Sequence, residues 1–156
     1  MALQNHSPII RHYQDVLDLV EEVDSPWLKV CLDVPMLIHQ DDGWVRDAVK
    51  ATGDRQVHSH FGGEFERDEA DVVQLKNLGL DRPPINYPTF LRGMKEIGYD
   101  GFFCFEFCHP AEDDKKNVMG IDFVHEQTAM ALEYLRRQIK EAEAAPTNGR
   151  TAATTD

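Results

Sequence analysis

The sequence predicts an α/β fold in which four parallel strands alternate with helices. Four short apolar runs end at Gln4, Asp33, His60 and Glu106, and each run precedes a segment that can form a helix. Strands that alternate with helices in this way are typical of a parallel sheet. In such sheets the functional residues gather at the C-terminal ends of the strands. The four run ends are therefore the candidate positions for chemistry.

The first helix and the second strand have clear boundary signals. The first strand, Ala2–Gln4, is short. Ser7 can cap the helix that follows, and Pro8 suits the first helical position. Apolar residues with helical spacing continue this helix until residues 24–26 end it. Residues 27–33 form the second strand, which is apolar almost throughout, as in a sheet that is covered on both faces.

The rest of the chain repeats the alternation with one long interruption. The predicted elements are a helix at 43–51, a strand at 55–60, a helix at 87–97, a strand at 102–106 and a helix at 118–142. Residues 61–86 lack a regular pattern, and a loop of that length in a compact domain is usually functional, often a lid. Residues 144–156 are rich in Ala, Thr, Pro, Asn and Gly, which predicts a disordered tail.

Composition and charge exclude several classes of function. The chain has 156 residues, enough for one domain, and 42% of them are apolar. The formal net charge of -12 disfavours binding to nucleic acid phosphates and to anionic membranes. No stretch approaches the roughly 20 apolar residues of a membrane span, and the first residues lack the features of a signal peptide. We interpret Cys31, Cys104 and Cys108 as reduced core thiols, which predicts a cytoplasmic protein.

Three of the strand ends carry side chains that bind divalent cations, namely Asp33, His60 and Glu106. Each has a simpler alternative: the aspartate can cap a turn, and a lone inward histidine is more often a core group. Because side chains alternate along a strand, His58 and His60 point the same way, which favours a ligand role for His60. Glu106 ends an apolar strand, where an unpaired buried carboxylate would cost several kcal/mol without a cation or hydrogen-bond donors.

Four motifs at these strand ends resemble those of a known family. They are Leu-Gln-Asn-His, Cys-Leu-Asp, Val-His-Ser-His and Ile-Gly-Tyr-Asp-Gly-Phe-Phe-Cys-Phe-Glu. They are similar to successive strand ends of the xylose-isomerase-like TIM barrels, which include sugar phosphate isomerases and epimerases, inosose dehydratases and ketose 3-epimerases. The resemblance covers residues 2–140 and corresponds only to strands five to eight of the barrel. It implies a (βα)4 half of a TIM barrel, with parallel strands and outer helices, over residues 1–143.

The resemblance also implies a metal site on the four strand ends. In the family these ends supply Glu, Asp, His and Glu to manganese, magnesium, cobalt or zinc. By position, Asp33, His60 and Glu106 match the last three ligands, whereas Gln4 stands in place of the first glutamate. An amide oxygen can coordinate weakly, but an amide cannot exchange a proton near neutral pH. A second departure is Met36, where many members carry a histidine.

Five further residues are candidates for contact with a substrate. His6 follows the first strand and can touch a substrate hydroxyl, and His58 lies beside the predicted histidine ligand. Glu64 and Arg67 follow the third strand in a glycine-rich loop. Arg67 can hold a phosphate or a hydroxyl, although a solvated loop charge explains it equally well. His109 lies just beyond the last predicted ligand and is a candidate for the rim of the site.

The function implied by the resemblance is a divalent-metal-dependent sugar or sugar phosphate isomerase or epimerase that abstracts a proton next to a carbonyl. Glu106 is then the catalytic residue, because it lies at the metal and can titrate. With Gln4 in place of a carboxylate, a one-base lyase reaction, like that of an inosose dehydratase, is a second hypothesis. A non-catalytic half-barrel that binds metal and sugar is a third, and a structural half-domain is a fourth. Whether the chain is an enzyme stays open.

A half-barrel also implies partners. Four strands leave two open edges and an inner face that meets solvent, and such surfaces invite association. We therefore expect the chain to form a homo-oligomer, to pair with a chain that supplies the other half of the barrel, or to be a fragment of a longer protein. The remaining expected partner is a small-molecule sugar or polyol, with no nucleic acid and no membrane.

Overall fold

A computed structural model of the chain describes residues 1–6, 8–76, 83–107, 111–112 and 115–144. Its strands and helices in chain order are β1 (Ala2–Gln4), α1 (Tyr13–Val23), β2 (Lys29–Cys31), α2 (Asp42–Thr52), β3 (Gln56–Phe61), β4 (Phe65–Arg67), β5 (Val73–Leu75), α3 (Tyr87–Glu96), β6 (Phe102–Phe105) and α4 (Ile121–Ala144). The predicted alternation of strands and helices is confirmed, and two additional strands, β4 and β5, lie between β3 and α3.

Four of the strands form a parallel sheet in the order β1-β2-β3-β6. One helix, α1, α2 or α3, connects each strand of this sheet to the next. The backbone N–H of Glu106 donates a hydrogen bond of 2.9 Å to the carbonyl of Phe61, which extends the pairing of β3 with β6 by one residue. The C-terminal ends of all four strands therefore lie together on one side of the sheet, while β1 and β6 form its two edges.

The two faces of this sheet are buried to different extents. Val30 and Leu32 on one face lie in the hydrophobic core, which the helices cover. The intervening residues point to the opposite face, called the inner face here, because side chains alternate along a strand. At the centre of the inner face Cys31 is 3% exposed, but at the β6 edge Phe102 is 77% exposed and Cys104 is exposed. The expectation of a sheet covered on both faces therefore holds at β2 and is wrong at β6.

Helix α1 begins later than the sequence predicted. It starts at Tyr13, and His12 is its N-terminal cap: the His12 ring nitrogen Nδ1 accepts a hydrogen bond from the Gln14 backbone N–H, and the Asp15 carboxylate accepts one from the His12 N–H, each at 3.0 Å. This reciprocal pair satisfies two backbone donors of the first turn. The predicted start at Pro8 is therefore wrong, and the predicted cap Ser7 lies outside the described residues.

The segment 61–86 contains a β-hairpin rather than an irregular loop. Strands β4 and β5 pair in antiparallel register and pack against α4. The Gln127 side chain accepts a hydrogen bond from the Phe65 N–H (2.8 Å) and donates one to the Phe65 carbonyl (3.0 Å), while the Arg137 side chain donates one to the Val73 carbonyl. These bonds attach the hairpin to the helix, and the predicted irregular structure is wrong for the described part of the segment, whereas a role as a lid stays a prediction. Residues 77–82 lie outside it.

Helix α4 is the longest of the described elements and the last one in the chain. It begins at Ile121, later than predicted, and continues to Ala144, the first residue of the predicted tail. Residues 145–156 lie outside the described residues, so the tail and the domain boundary at residue 143 stay predictions. None of the helices in the described ranges combines the length and the apolar composition that crossing a membrane requires.

Candidate metal site

The ends of β2, β3 and β6 bring three of the predicted ligands together. Asp33 follows β2, His60 lies near the end of β3, and Glu106 follows β6. His60 pairs in register with Cys104, so that Glu106, two residues further on, lies on the same face of the sheet. One ligand atom from each of the three side chains lies within 4.8 Å of the other two. This is the spacing of side chains that can share one cation.

The backbone of Asp33 is fixed by Asn5, a residue that sequence reasoning did not single out. The Asn5 amide donates a hydrogen bond to the Asp33 carbonyl (3.0 Å) and accepts one from the Asp33 N–H (2.7 Å). Asn5 is fully buried, so these bonds are shielded from water. A short 3-10 turn, Val34–Met36, follows, but the Asp33 side chain makes no capping hydrogen bond to it. The carboxylate is therefore not explained as a turn cap.

The carboxylate of Asp33 is buried and only half satisfied. Its Oδ2 accepts a hydrogen bond of 2.6 Å from the Gln4 amide, whereas Oδ1 has no hydrogen-bond partner among the described residues. Burial raises the pKa of Asp33 to about 6; the hydrogen bond from Gln4 lowers it, and the negative charge of Glu106 raises it. An aspartate that is 1% exposed, with one free oxygen, is costly to keep ionised unless a cation lies beside it.

His60 and Glu106 face each other across the same space. The Nδ1 atom of His60 lies 3.1 Å from Oε2 of Glu106, with side chains that are 22% and 40% exposed. Despite this distance, Nδ1 is buried and makes no hydrogen bond within the described part of the chain. In the neutral imidazole that carries its proton on Nε2, the Nδ1 atom can bind a cation at this place.

These atoms fit a divalent cation. Asp33 Oδ1 and His60 Nδ1 are buried polar atoms that make no hydrogen bond in the described ranges, and such atoms normally make one. A cation between them would satisfy both and would also lie against the Glu106 carboxylate. Two carboxylates and an imidazole are ligands that manganese, magnesium, cobalt and zinc accept. The donor set is therefore suited to the predicted cofactor.

Comparison with protein families agrees with this arrangement of strands and strand ends. Residues 1–138 match the family model described as the xylose isomerase-like TIM barrel. The chain belongs to this family. No curated protein matches the chain significantly.

Solved structures with this fold include sugar epimerases. D-allulose 3-epimerase from Methylomonas sp., in complex with D-allulose, has a TM-score of 0.62 at 20% identity, covering 88% of this chain and 47% of that one. L-ribulose 3-epimerase has a TM-score of 0.59 at 17% identity, covering 95% and 52%. A xylose isomerase domain protein from Planctomyces limnophilus has a TM-score of 0.55 at 18% identity, covering 92% and 46%.

This member of the family spans about half the length of those structures. At such low identities the likeness establishes the fold alone. The parallel sheet with its outer helices therefore corresponds to half of a TIM barrel, and the predicted fold class and family resemblance are confirmed.

Two other predicted site residues of this xylose isomerase-like chain lie close to the ligands. The ring centroids of His58 and His60 are 5.0 Å apart and the rings are nearly perpendicular, so the two imidazoles share one face, as the alternation rule predicted. Burial, and to a lesser extent the charge of His60, lowers the pKa of His58. His6 is exposed, and its charge contributes to lowering the pKa of Asp33.

The remaining predicted substrate contacts belong to the hairpin or lie outside the described residues. Arg67 pairs with Glu133 of α4, with Nη2 2.9 Å from Oε2, and also with Asp71. Glu64 lies 3.4 Å from the Lys76 ammonium. The ion pair with Glu133 attaches the hairpin to α4, and the other two ion pairs lie within the segment that carries the hairpin. His109 lies outside the described residues.

Cys31 is a candidate ligand that the sequence interpretation missed. It is buried, as predicted, but it forms a second group of possible ligands with His58 and His60, within 4.8 Å of one another. The alternation of β2, which places Cys31 and Asp33 on one face, was the signal that could have identified it. Cys104, also interpreted as a core thiol, is instead exposed, and Cys108 lies outside the described residues.

Proposed function

We propose that this chain forms the metal-binding half of a divalent-metal-dependent sugar or sugar phosphate isomerase or epimerase, which abstracts a proton next to a carbonyl. The observation that carries the proposal is a pair of buried atoms, Asp33 Oδ1 and His60 Nδ1, that make no hydrogen bond among the described residues and lie beside the Glu106 carboxylate. Family membership supports it, and two of the solved structures with this fold are sugar epimerases.

Asp33, His60 and Glu106 would hold the cation, with manganese, magnesium, cobalt and zinc as candidates. When bound, the cation supplies a Lewis acid that polarises a substrate carbonyl. The chain itself fixes the ligands: Asn5 holds the backbone of Asp33, and the hydrogen bond from Glu106 to Phe61 holds Glu106 beside β3. Ligands that are fixed in this way need little rearrangement when the cation binds.

Glu106 is the residue to which we assign proton transfer. Its side chain is 40% exposed, so a substrate can reach it, whereas Asp33 is 1% exposed. A positioned carboxylate can take a proton from the carbon next to a carbonyl and return it. His58 and the exposed His6 are the proposed contacts for sugar hydroxyls on the same side. Arg67 and Glu64 would contact a substrate only by leaving their ion pairs in the hairpin.

A lyase reaction with one base is the second candidate, and the position of Gln4 favours it. The Gln4 amide donates its hydrogen bond to Asp33, so this strand end orients a ligand and offers no titrating group. Epimerisation with two carboxylates, one on each side of the substrate, lacks its second acid in the described residues. Dehydration needs only one base, and Glu106 can supply it.

We also propose that a second (βα)4 unit completes the site. The chain spans about half the length of the structures it resembles, and the edges β1 and β6 offer unpaired strands. Phe102, which is 77% exposed at the β6 edge, adds apolar surface that association would bury. The mass of the purified chain, measured by light scattering, shows where the second (βα)4 unit comes from. A dimer indicates a second copy of this chain, whereas assembly only with an added partner indicates a different chain. A well-folded monomer with full activity contradicts the proposal.

The decisive experiment is proton exchange at the substrate. The metal-loaded chain is incubated with D-allulose or D-fructose in D2O, and NMR measures deuterium incorporation next to the carbonyl. We expect exchange in the wild type and a loss of about 100-fold or more in Glu106→Gln, since general base catalysis contributes that much. Glu21→Gln is the matched control, because Glu21 pairs with Arg55 on the surface of α1, and it should exchange like the wild type.

The alternatives give different results in the same experiment. Exchange retained in Glu106→Gln contradicts the assigned base. Water loss from an inosose, with no exchange of ketohexoses, indicates the lyase. A sugar-binding half-barrel without activity binds metal and sugar but shows no exchange, even after Gln4→Glu. A structural half-domain binds neither, and its melting temperature does not respond to metal.

A further inference from the structure

A second group of potential ligands lies next to the first on the inner face. Cys31 of β2 and His58 of β3 are register partners, and His60 lies two residues further along β3 on the same face. One ligand atom from each of the three lies within 4.8 Å of the other two. His60 belongs to both groups, because it also lies within 4.8 Å of Asp33 and Glu106.

Cys31 is a buried thiol that lies beside two imidazoles. It is 3% exposed, and its side chain lies on the inner face, opposite to those of its neighbours Val30 and Leu32. Burial, followed by the charge of Asp33, raises the pKa of the Cys31 thiol to about 12, although the sulfur also accepts a hydrogen bond from the His60 backbone N–H, which lowers it. Free structural cysteines are usually packed among apolar side chains. Here a ring nitrogen of each of two imidazoles also lies within 4.8 Å of the sulfur.

We propose that Cys31, His58 and His60 form a second cation position, selective for thiophilic divalent cations such as Zn²⁺ and Co²⁺. One sulfur and two nitrogens select such cations over Mg²⁺ and Mn²⁺. Three protein ligands also leave the fourth tetrahedral position to solvent. On binding, the sulfur forms the bond to the cation and its proton passes to the solvent, so that the thiol is bound as a thiolate.

The two positions compete for His60. Among the described residues no carboxylate belongs to both groups, so none of them can bridge two cations. Two divalent cations a few ångströms apart would repel each other strongly in this partly buried setting. A thiophilic cation at Cys31 therefore removes His60 from the Asp33–Glu106 position. The inference does not require that the chain be an enzyme, because it concerns cation binding only.

The test is a titration of the reduced, metal-free chain with Co²⁺, followed by absorption spectroscopy. Coordination by Cys31 produces a thiolate-to-cobalt charge-transfer band in the near ultraviolet. Cys31→Ser should lose this band. Cys104→Ser is the matched control, because Cys104 is exposed and belongs to neither group, and it should keep the band. Asp33→Asn should keep it as well, since Asp33 contributes only to the first position.

Three results would overturn the proposal. They are a wild-type chain without the band, a band that survives in Cys31→Ser, and a band that disappears in Cys104→Ser. If circular dichroism shows that Cys31→Ser does not fold, His58→Gln decides in its place. We expect the affinity for Co²⁺, read from the thiolate band, to fall by about 100-fold in His58→Gln, because a ligand is lost. An unchanged Co²⁺ affinity by that band in a folded His58→Gln chain contradicts the site.

Discussion

The two faces of the parallel sheet are formed by alternate residues of the same strands, and they carry different kinds of side chain. On the helix-covered face, Val30, Leu32 and Phe61 are buried in a continuous hydrophobic core. On the inner face, Asp33 and His60 hold buried polar atoms that make no hydrogen bond within the described residues. One face therefore stabilises the fold, while the other carries polar groups at a cost in stability. Local features that work against stability are expected at functional sites, and the proposed cation site gives the inner face such a function.

The largest expected effect is on the helix-covered face. Leu17 of α1 is 3% exposed in the core, so Leu17→Ala should lower the free energy of unfolding by about 2–5 kcal/mol, since it leaves a cavity. Urea denaturation measures this. Leu19→Ala, on the same helix at a position that is 39% exposed, is the control and should change stability by about 0.5 kcal/mol or less. Metal affinity per folded molecule should be unchanged in both, and a large loss in Leu17→Ala would mean that the two faces are not independent.

A smaller effect, with a defined pH dependence, is expected at Asp33. Its pKa is raised from an ordinary 3.8 to about 6, so the metal-free folded state binds a proton more tightly than the unfolded state does. Below about pH 4 the protonated carboxyl contributes about 3 kcal/mol to the free energy of unfolding. This contribution is lost as the pH rises through about 6. Asp33→Asn should remove that loss.

Denaturation of the metal-free chain from pH 4 to pH 7, in the presence of a chelator, measures this difference. Asn keeps an oxygen that can accept the hydrogen bond from Gln4, so the variant changes the charge more than the packing. Glu21→Gln is the control, because Glu21 pairs with Arg55 on the surface of α1. Identical pH profiles for the wild type and Asp33→Asn would contradict the account of a costly buried carboxylate.

The smallest effects compare two buried polar residues that both hold the segment after β2. Asn5 bonds to the backbone of Asp33, and the Ser59 hydroxyl donates to the Leu32 carbonyl at 2.7 Å. Replacing either by Ala should cost about 1–3 kcal/mol, because it leaves buried backbone groups unsatisfied. Only Asn5→Ala should also weaken Mn²⁺ binding, by about tenfold or more, since it releases a ligand. Equal Mn²⁺ affinities in the two variants would show that Asn5 has no role in positioning Asp33.

The order of strands and the convergence of the ligands could be predicted because both follow from local patterns. Apolar runs followed by helical spacing define the strand–helix units, and Asp33, His60 and Glu106 all lie at run ends. The C-terminal ends of parallel strands lie on one side of a sheet whatever the details of packing. His58 and His60 share a face for an equally local reason, the alternation of side chains.

Other features depend on contacts that no local pattern encodes. Helix α1 begins after His12, whose imidazole takes the capping role that Ser, Thr, Asp and Asn usually fill. The hairpin strands β4 and β5 have three residues each, too short for a visible alternation, and Gln127 of α4 satisfies the backbone of β4 from far along the chain. The bonds between Asn5 and Asp33 likewise join two separate strand ends.

The most direct test of the inner face as a cation site is the stoichiometry of Mn²⁺ binding, measured by electron paramagnetic resonance on chain of known oligomeric mass. Mn²⁺ is used because it binds sulfur ligands weakly and therefore does not occupy the position at Cys31. The account predicts stoichiometric Mn²⁺ in the wild type and in Cys104→Ser, and a loss of affinity of about 100-fold or more in Asp33→Asn and in His60→Ala. Wild-type chain that binds no Mn²⁺, or binds it equally well without Asp33 and His60, would contradict the account.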